Sequence, residues 1–517
     1  MSKILIVSPW GNPRSWRYAA YKIDGVEICC RTSLIPLILL ALKKGHNVRV
    51  CVVCVDTISV LELGEETPNN YGEIRESAKN YIARYLGEFL EETKGQDIEA
   101  ELRKTIDQVS SNIIVAPGMG EYSVQNQRYK FKSQLELFYL YVYLSLLKVA
   151  LEYRPDEVWL DLTHGINYMP TFTYRAVRRL CETLKLLHLE DIPLRIYNSD
   201  PYPLGSRSEK CMATPTLIIH KVFHKEKLEI RAILPAEIPN FLEQPQKYFD
   251  ISPERKRQIN NKLKLCNKEL RVKDLYKLCF YSVKHFWPLV LMSFIPRHLE
   301  KEMENISNEF KGHLNKLHEL IDEILLCESR VKVIDNICEV KTAILSKEID
   351  VDDIIDFYLI FATVVGAIND VSKRREDFDI KGEEVSLEAL LKFSEETLAK
   401  YWEPAKSFIS NEIHDIICRV YGMLKSYRFI EKLRGGLFLK AVIDFPKTTG
   451  EPPSEFAQKL REHILVKYKP DTKVGDFYRR RKERVFLAHC GMTYDSISVQ
   501  LKEFETLIKL LSDESTI

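Results

Sequence analysis

Net charge is what this chain most lacks. Its 75 Lys and Arg are offset by 74 Asp and Glu, leaving +1 over 517 residues. No global basic field draws in nucleic acid, so any RNA contact must rest on a local patch. Metal-site spacing is also missing. Of the 12 cysteines, Cys51 and Cys54 form a C-x-x-C, but within the strand-like run Val48–Val55. Period-two alternation points them to opposite faces, and no second pair or nearby His completes a zinc set. The cysteines read as reduced thiols of a cytoplasmic protein. The apolar runs Leu34–Leu42 and Phe286–Pro296 are too short to span a bilayer. Residues 1–10 lack a signal-peptide layout. No internal repeat and no low-complexity tract is present. Neither G-x-x-x-x-G-K-[ST] nor G-x-G-x-x-G follows the first strand, which argues against an NTPase or a dinucleotide oxidoreductase.

What is present divides near residue 235. At 517 residues the chain exceeds the roughly 250–300 at which a single core stops growing. Residues 1–235 alternate strand and helix signals, the pattern of a mostly parallel, doubly wound sheet. Strands are expected at Lys3–Ser8, Val48–Val55, Asn112–Ala116, Glu157–Leu162 and Leu194–Tyr197. Hairpins are expected at Ala19–Ile23 with Val26–Cys30, and at Leu217–Phe223 with Lys227–Leu234. Helices are expected at Ser33–Lys44, with Ser33 as N-cap, and at Tyr71–Thr93, Ser133–Glu152 and from Thr171. Pro235–Pro245 reads as a linker. Residues 236–275 form a linker or small winged-helix-like connector containing the basic segment Arg255–Arg271. Residues 276–517 read as a helical domain with an insertion around 328–385. Its expected helices include Leu299–Cys327, Asp352–Ala367, Leu387–Tyr401, Glu403–Tyr427 and Ser496–Ser512. The fold class is therefore multidomain, α/β and Rossmann-like followed by mainly α-helical.

The densest chemistry lies in Asp161-Leu-Thr-His-Gly-Ile-Asn-Tyr-Met-Pro170, where an apolar strand ends and a helix begins. In open α/β sheets ligands bind at such carboxyl ends, and exposed backbone N–H groups favour anions. Three other loops share that edge: Ser8–Asn12, Pro117–Gly120 and Asn198–Asp200. Together they offer Trp10, Gly11, Asn12, Thr163, His164, Gly165, Asn167 and Ser199, an inventory suited to a phosphate-linked base. Arg31 and Ser33 add a cation and a helix N-terminus. Plain structural readings stand beside these: Asp161 as a helix cap, Gly165 as a turn glycine, Trp10 as core, Arg31 as a solvated cation.

Near the C-terminus stands Arg479-Arg-Arg-Lys-Glu-Arg-Val-Phe-Leu-Ala-His-Cys-Gly491. Arg484 and His489 are a sufficient kit for metal-free RNA cleavage. His moves protons near neutral pH, and Arg stabilises the phosphorane-like transition state. Five residues rotate an ideal helix by about 140°, so the pair converges only if the helix ends or bends near His489. Arg479, Arg480 and Arg481 either steer RNA or form a solvated face.

Thr163–Pro170, Ser8-Pro-Trp-Gly11 and Arg31-Thr-Ser33 resemble the ligand loops of CARF domains in CRISPR-associated ribonucleases of the Csx type. Arg484–Gly491 resembles the HEPN ribonuclease motif, in the family's order. The residue after the motif Arg is commonly polar in that family, often Asn, and here it is Val485. The resemblance implies a homodimer, or an assembly of dimers, whose sensor binds cyclic oligoadenylate, most often cyclic tetra-adenylate. It implies a composite site in which two Arg484–His489 pairs meet across a dimer and cleave single-stranded RNA in type III CRISPR antiviral defence. No cofactor, metal or membrane partner is expected. The alternatives are a CARF-type ligand-gated transcription regulator or a HEPN protein that binds RNA without cutting it.

Overall fold

The computed structural model describes residues 1–64, 66–91, 99–109, 112–124, 127–203, 214–225, 233–239, 241, 244–263, 277, 279–284, 288, 291–292, 306–334, 337–342, 344–346, 350–374, 384–401, 403–426, 430–446, 451–468, 497–503 and 507.

Parallel strands buried on both faces read as continuous apolar runs. β1 (Lys3–Pro9) is buried at every residue after its first. It is the middle one of five parallel strands in an eight-stranded sheet of order β3-β2-β10-β9-β8-β1-β4-β5. β4 (Asn47–Val55) and β8 (Glu157–Asp161) flank β1 in parallel, with Val7 opposite both Cys51 and Leu160. β5 (Ile113–Ala116) extends one side and β9 (Leu194–Ser199) the other, again in parallel. The chain thus builds outward from β1 in one direction and then returns to build in the other. The crevice between the carboxyl ends of β1 and β8 is the topological switch point. β2 (Ala19–Ile23) and β3 (Val26–Cys30) form the expected hairpin. Its turn places Asp24 and Gly25 at φ 41° and 79°, the positive-φ pair of a two-residue hairpin loop.

Helices cover both faces. α1 (Leu34–Lys43) lies on one face, with most of the long α2 (Tyr71–Glu91) and α3 (Glu99–Val109). α4 (Leu135–Tyr153) and α5 (Met169–His188) lie on the other. Cys51 and Cys54 fall into these two separate cores, as period two requires. α5 opens with Pro at its first turn and ends on Leu189 at φ 55°, the left-handed stop that ends many helices.

The core beneath α4 and α5 does not stop at residue 235. It runs on through α6 (Pro253–Leu263), α7 (Ile306–Glu328) and α8 (Asp352–Arg374). Within the expected linker, Phe241 is buried against Tyr248 and Phe357, at ring distances of 5.1 and 5.4 Å. Residues 264–276 of the expected connector lie outside the described residues. The segment read as an insertion carries a hairpin, β11 (Arg330–Ile334) with β12 (Ile337–Lys341), besides α8. β12 pairs in parallel with β7 (Gln127–Lys132), which itself pairs with β6 (Gly120–Val124), making a second, four-stranded sheet. α8 is long and apolar enough to cross a membrane, but its apolar window is 83% buried in the structure, as in a core helix.

Several expectations are corrected. β10 (Thr216–Lys225) pairs antiparallel with β9 and parallel with β2. Its proposed hairpin partner, 227–234, is described only at 233 and 234. Ser33 has helical angles and makes no side-chain cap; its hydroxyl is engaged elsewhere. β-structure also persists near the C-terminus. Ile497–Leu501, expected within a helix, is a strand, β16. It pairs with β15 (Ile464–Tyr468) and β14 (Leu437–Phe438), and β15 also pairs with β13 (Glu384–Ser386). Alternating Ile497, Val499 and Leu501 is the period-two signal. Elsewhere the described C-terminal part is mainly helical, with α9 (Leu387–Phe393), α10 (Ala405–Lys425) and α11 (Ser454–His463).

Candidate ligand site at the switch point

The site is organised around one buried carboxylate. Asp161 ends β8 with no exposure to solvent. Its Oδ2 accepts hydrogen bonds from the hydroxyls of Ser8 (3.1 Å) and Ser33 (2.8 Å), and its Oδ1 accepts from the Thr163 N–H (3.1 Å). The β1 loop, the start of α1 and the β8 loop are thus tied to one group. Burial raises the Asp161 pKa, and the three donors oppose that shift.

The loops are also stitched by backbone. The Gly11 N–H donates to the His164 carbonyl (2.9 Å) and the Trp10 N–H to Val53 (2.7 Å). A Cβ on Gly11 would stand 2.6 Å from the Ile166 side chain, and one on Gly165 would stand 2.6 Å from Pro170. Both glycines therefore serve close approach, and Gly165 is not a positive-φ turn residue. Asn167 has that role instead, at φ 50°.

His164 is neutral. The Ser33 N–H donates to its Nε2 (3.1 Å), which assigns the ring proton to Nδ1. Burial pushes its pKa down to about 3. Its ring stacks on Trp16, with centroids 3.9 Å apart and planes 23° apart. Both rings line a cleft of about 660 Å³ with Arg17, Tyr21, Thr163 and Tyr202. The β9 loop supplies a further wall through Asn198, Ser199 and Asp200. The Arg17 guanidinium lies 5.7 Å from the centre of the Tyr202 ring. Asp200 is held below the usual carboxylate range by the Ile218 N–H and by His220. Aromatic faces, a hydroxyl and a neutral imidazole suit a base-bearing ligand; Arg17 suits its phosphates.

The expected residues divide by position. Thr163, His164 and Ser199 line the cleft, and the Ser199 N–H donates to the Thr163 hydroxyl (3.1 Å). Gly11, Ser33, Gly165 and Asn167 shape the loops around it. Trp10 is completely enclosed, with its indole N–H on the Ser8 hydroxyl (3.1 Å). Asn12 caps a short 3-10 turn and accepts from the Tyr81 hydroxyl (2.9 Å). Arg31 pairs with Glu88 (3.1 Å) and lies over Phe89. Trp16, Tyr21 and Tyr202 were missed because no fixed spacing from a strand end marks them. Pro13-Arg14-Ser15 before Trp16, a turn-forming run, was the available signal. Arg484, His489, Arg479, Arg480 and Arg481 lie outside the described residues. Among the described residues no group of His, Cys, Asp and Glu could hold a metal ion.

Residues 5–201 match the family described as the CARF domain of the CRISPR system endoribonuclease Csx1. This part of the chain is similar to a CARF domain of the Csx1 type. The matched span takes in all five central parallel strands and every wall of the cleft except Tyr202, Pro203 and Leu217. The chain is also similar to a curated relative from Methanocaldococcus jannaschii named CRISPR system endoribonuclease Csx1. The two are 31% identical over 320 residues, which is 60% of this chain. The match spans 59% of that relative's length. The resemblance to Csx-type CARF proteins therefore holds, and the cleft lies at the carboxyl edge of the matched sheet.

Proposed function

We propose that this protein is a cytoplasmic endoribonuclease switched on by a cyclic oligoadenylate, with cyclic tetra-adenylate as the activator, in type III CRISPR antiviral defence. The observation that carries the sensor reading is the CARF cleft lined by the Trp16–His164 stack. It offers flat faces and neutral donors at the switch point of the sheet. The effector reading rests on Arg484 and His489, in a chain similar to a protein named as an endoribonuclease.

In this reading His489 takes the proton from an RNA 2′-OH, and the 2′-oxygen attacks the adjacent phosphorus. Arg484 stabilises the charge that gathers on the non-bridging oxygens, and the protonated His489 of the facing pair gives its proton to the departing 5′-oxygen, while the first His489 keeps the 2′-OH proton. The products are a 2′,3′-cyclic phosphate and a 5′-hydroxyl. No step needs a metal. Two such pairs meet across a homodimer, with Arg479, Arg480 and Arg481 guiding single-stranded RNA.

The test is cleavage of a labelled single-stranded RNA in EDTA, with and without cyclic tetra-adenylate. Cleavage that appears only with the activator and ends in cyclic phosphate is expected. Strict dependence on Mg²⁺ or Mn²⁺, 3′-hydroxyl ends, or indifference to every cyclic oligoadenylate would overturn the reading.

A further inference from the structure

Two seams join the CARF helices to the helical part, and they differ in kind. The first joins α2 and α4 to α7. Asp322 Oδ1 accepts from Arg75 and from the Tyr141 hydroxyl, each at 2.8 Å. Asp322 Oδ2 lies 3.3 Å from His318 Nδ1, and His318 Nε2 lies 2.9 Å from the Ser145 hydroxyl. Every member of this partly buried network has a partner, and mutual satisfaction of its members holds the three helices in one register.

The second seam joins α5 to α8, a basic stripe against an acidic one. Arg175 pairs with Asp352. Arg179 lies 3.6 Å from Asp356 Oδ1, too far for a hydrogen bond, and its other nitrogen pairs with Glu182 at 3.0 Å. The helices meet without space: a Cβ on Gly366 would stand 2.0 Å from the Leu186 carbonyl. Yet Thr173 Oγ1, Asp352 Oδ1 and Asp356 Oδ1 are buried with no hydrogen-bond partner among the described residues. Buried orphan groups are uncommon in native proteins and call for an explanation. A contact with a second arrangement, in which these atoms are satisfied, supplies one. α5 is also the direct continuation of the ligand loop, because the Met169 N–H donates to the Ile166 carbonyl at 3.0 Å.

We propose that the α5–α8 seam is the transmitting contact between the ligand loop and the helical part, and that the Arg75–Asp322–His318 network is the fixed hinge beside it. The proposal rests on the reading that the cleft binds an activator and the helical part carries the activity. A ligand that closes the loops around His164 shifts the start of α5. Close packing at Gly366 passes that shift to α8 rather than absorbing it. The Arg175–Asp352 and Arg179–Asp356 pairs re-form in the new register, so the two arrangements differ in energy and the ligand biases them.

The test compares charge reversals at the two seams in the full-length protein. Arg175→Glu and Asp352→Lys should each cut the activation ratio, meaning cleavage with over cleavage without cyclic tetra-adenylate, by roughly tenfold, within the usual range of coupling energies. The double variant should restore it to within about threefold, as complementary charges re-pair. Ser145→Ala, at the hinge, should leave the ratio within about twofold, because a hinge that stays fixed contributes no differential energy. Hydrogen exchange across 352–374 should change when the activator binds the wild-type protein. Unchanged ratios in both single variants, or failure of the double variant to recover, would overturn the proposal. Binding and cleavage with unmoved exchange in α8 would remove the proposal alone. Binding with altered α8 exchange but no RNA cleavage would remove the functional reading and leave the seam as transmitter.

Discussion

Replacing Asp161 tests whether one carboxylate holds the ligand loops together. Asp161→Ala removes the acceptor of three donors: Ser8 and Ser33 hydroxyls and the Thr163 N–H. An orphaned buried donor costs about 1–3 kcal/mol. The Ser8 oxygen also accepts the Trp10 indole N–H, so the same cluster reaches the enclosed Trp10. Part of the loss is offset, because burial disfavours the ionised carboxylate that is removed. A net local cost of about 2–4 kcal/mol follows. Asp161→Asn should be much milder. Its amide oxygen can face the Thr163 N–H, which cannot turn, while the serine hydroxyls rotate to accept from the NH₂ group. A cost near 1 kcal/mol is expected for that loss of charge assistance. The assay is amide hydrogen exchange over 29–37 and 157–168, since global unfolding of so long a chain is not two-state. The alanine variant should exchange roughly 30-fold faster or more there, at about 1.4 kcal/mol per factor of ten. Equal rates for the two variants, or an alanine variant within threefold of wild type, would refute the clasp.

His164 should make stability fall with acid. Its folded pKa of about 3 lies below the ordinary 6.5, so its contribution is complete above about 6.5 and is lost as pH falls toward 3. Protection of 157–168 should weaken below pH 6, and His164→Gln should abolish that dependence; a His164-dependent gain in protection on acidification would contradict it. Trp16→Ala should weaken cyclic tetra-adenylate binding by roughly tenfold or more, the loss of one aromatic stacking partner, while Trp10→Ala should destabilise the fold by about 3–5 kcal/mol as a core deletion. Calorimetry with unchanged affinity in a folded Trp16→Ala variant would remove that ring from the site. His489→Ala should abolish cleavage and leave ligand affinity within threefold. In mixed dimers, a single His489→Ala subunit that leaves half the rate or more would show independent sites rather than a composite one.

The N-terminal half was legible because its strands are central. Ile4–Val7, Val50–Val55 and Val158–Leu160 are continuous apolar runs, as strands buried on both faces are, and their β-branched content separates them from the apolar helix at Leu34–Leu42. Edge structure was not. β10 pairs with β2 across nearly the whole domain, and β12 pairs with β7 across some two hundred residues of chain. Local sequence carries no record of such distant partners. The loop Thr163–Asn167 was legible by composition, since glycine, a neutral ring and hydroxyls cluster at one strand end. The roles within it were not. Ser33 looked like a helix cap, and only the fold brings its hydroxyl to Asp161 and its N–H to His164. Trp10 and Trp16 are indistinguishable by type, and six residues of chain decide which is enclosed and which faces the cleft. At the C-terminus, Ile497 and Leu501 stand four residues apart, which suits a helix as well as a strand, so period alone favoured the wrong element until the pairing with Ile464–Tyr468 decided it.

The position of Asp161 explains why a buried carboxylate stands at the centre of the candidate site. An apolar residue there would avoid the desolvation cost. It would also leave the β1 loop, the start of α1 and the β8 loop free to move separately. With the carboxylate in place, the three segments that border the ligand cleft share one acceptor, and displacement of any one strains the bonds of the other two. A ligand that contacts only part of the edge therefore acts on all of it. The same loop runs without interruption into α5 and its charged face against α8. A soft, separately moving loop would absorb the ligand's binding energy locally. A clasped one can deliver it to the next rigid element, which is the physical requirement for any response beyond the cleft.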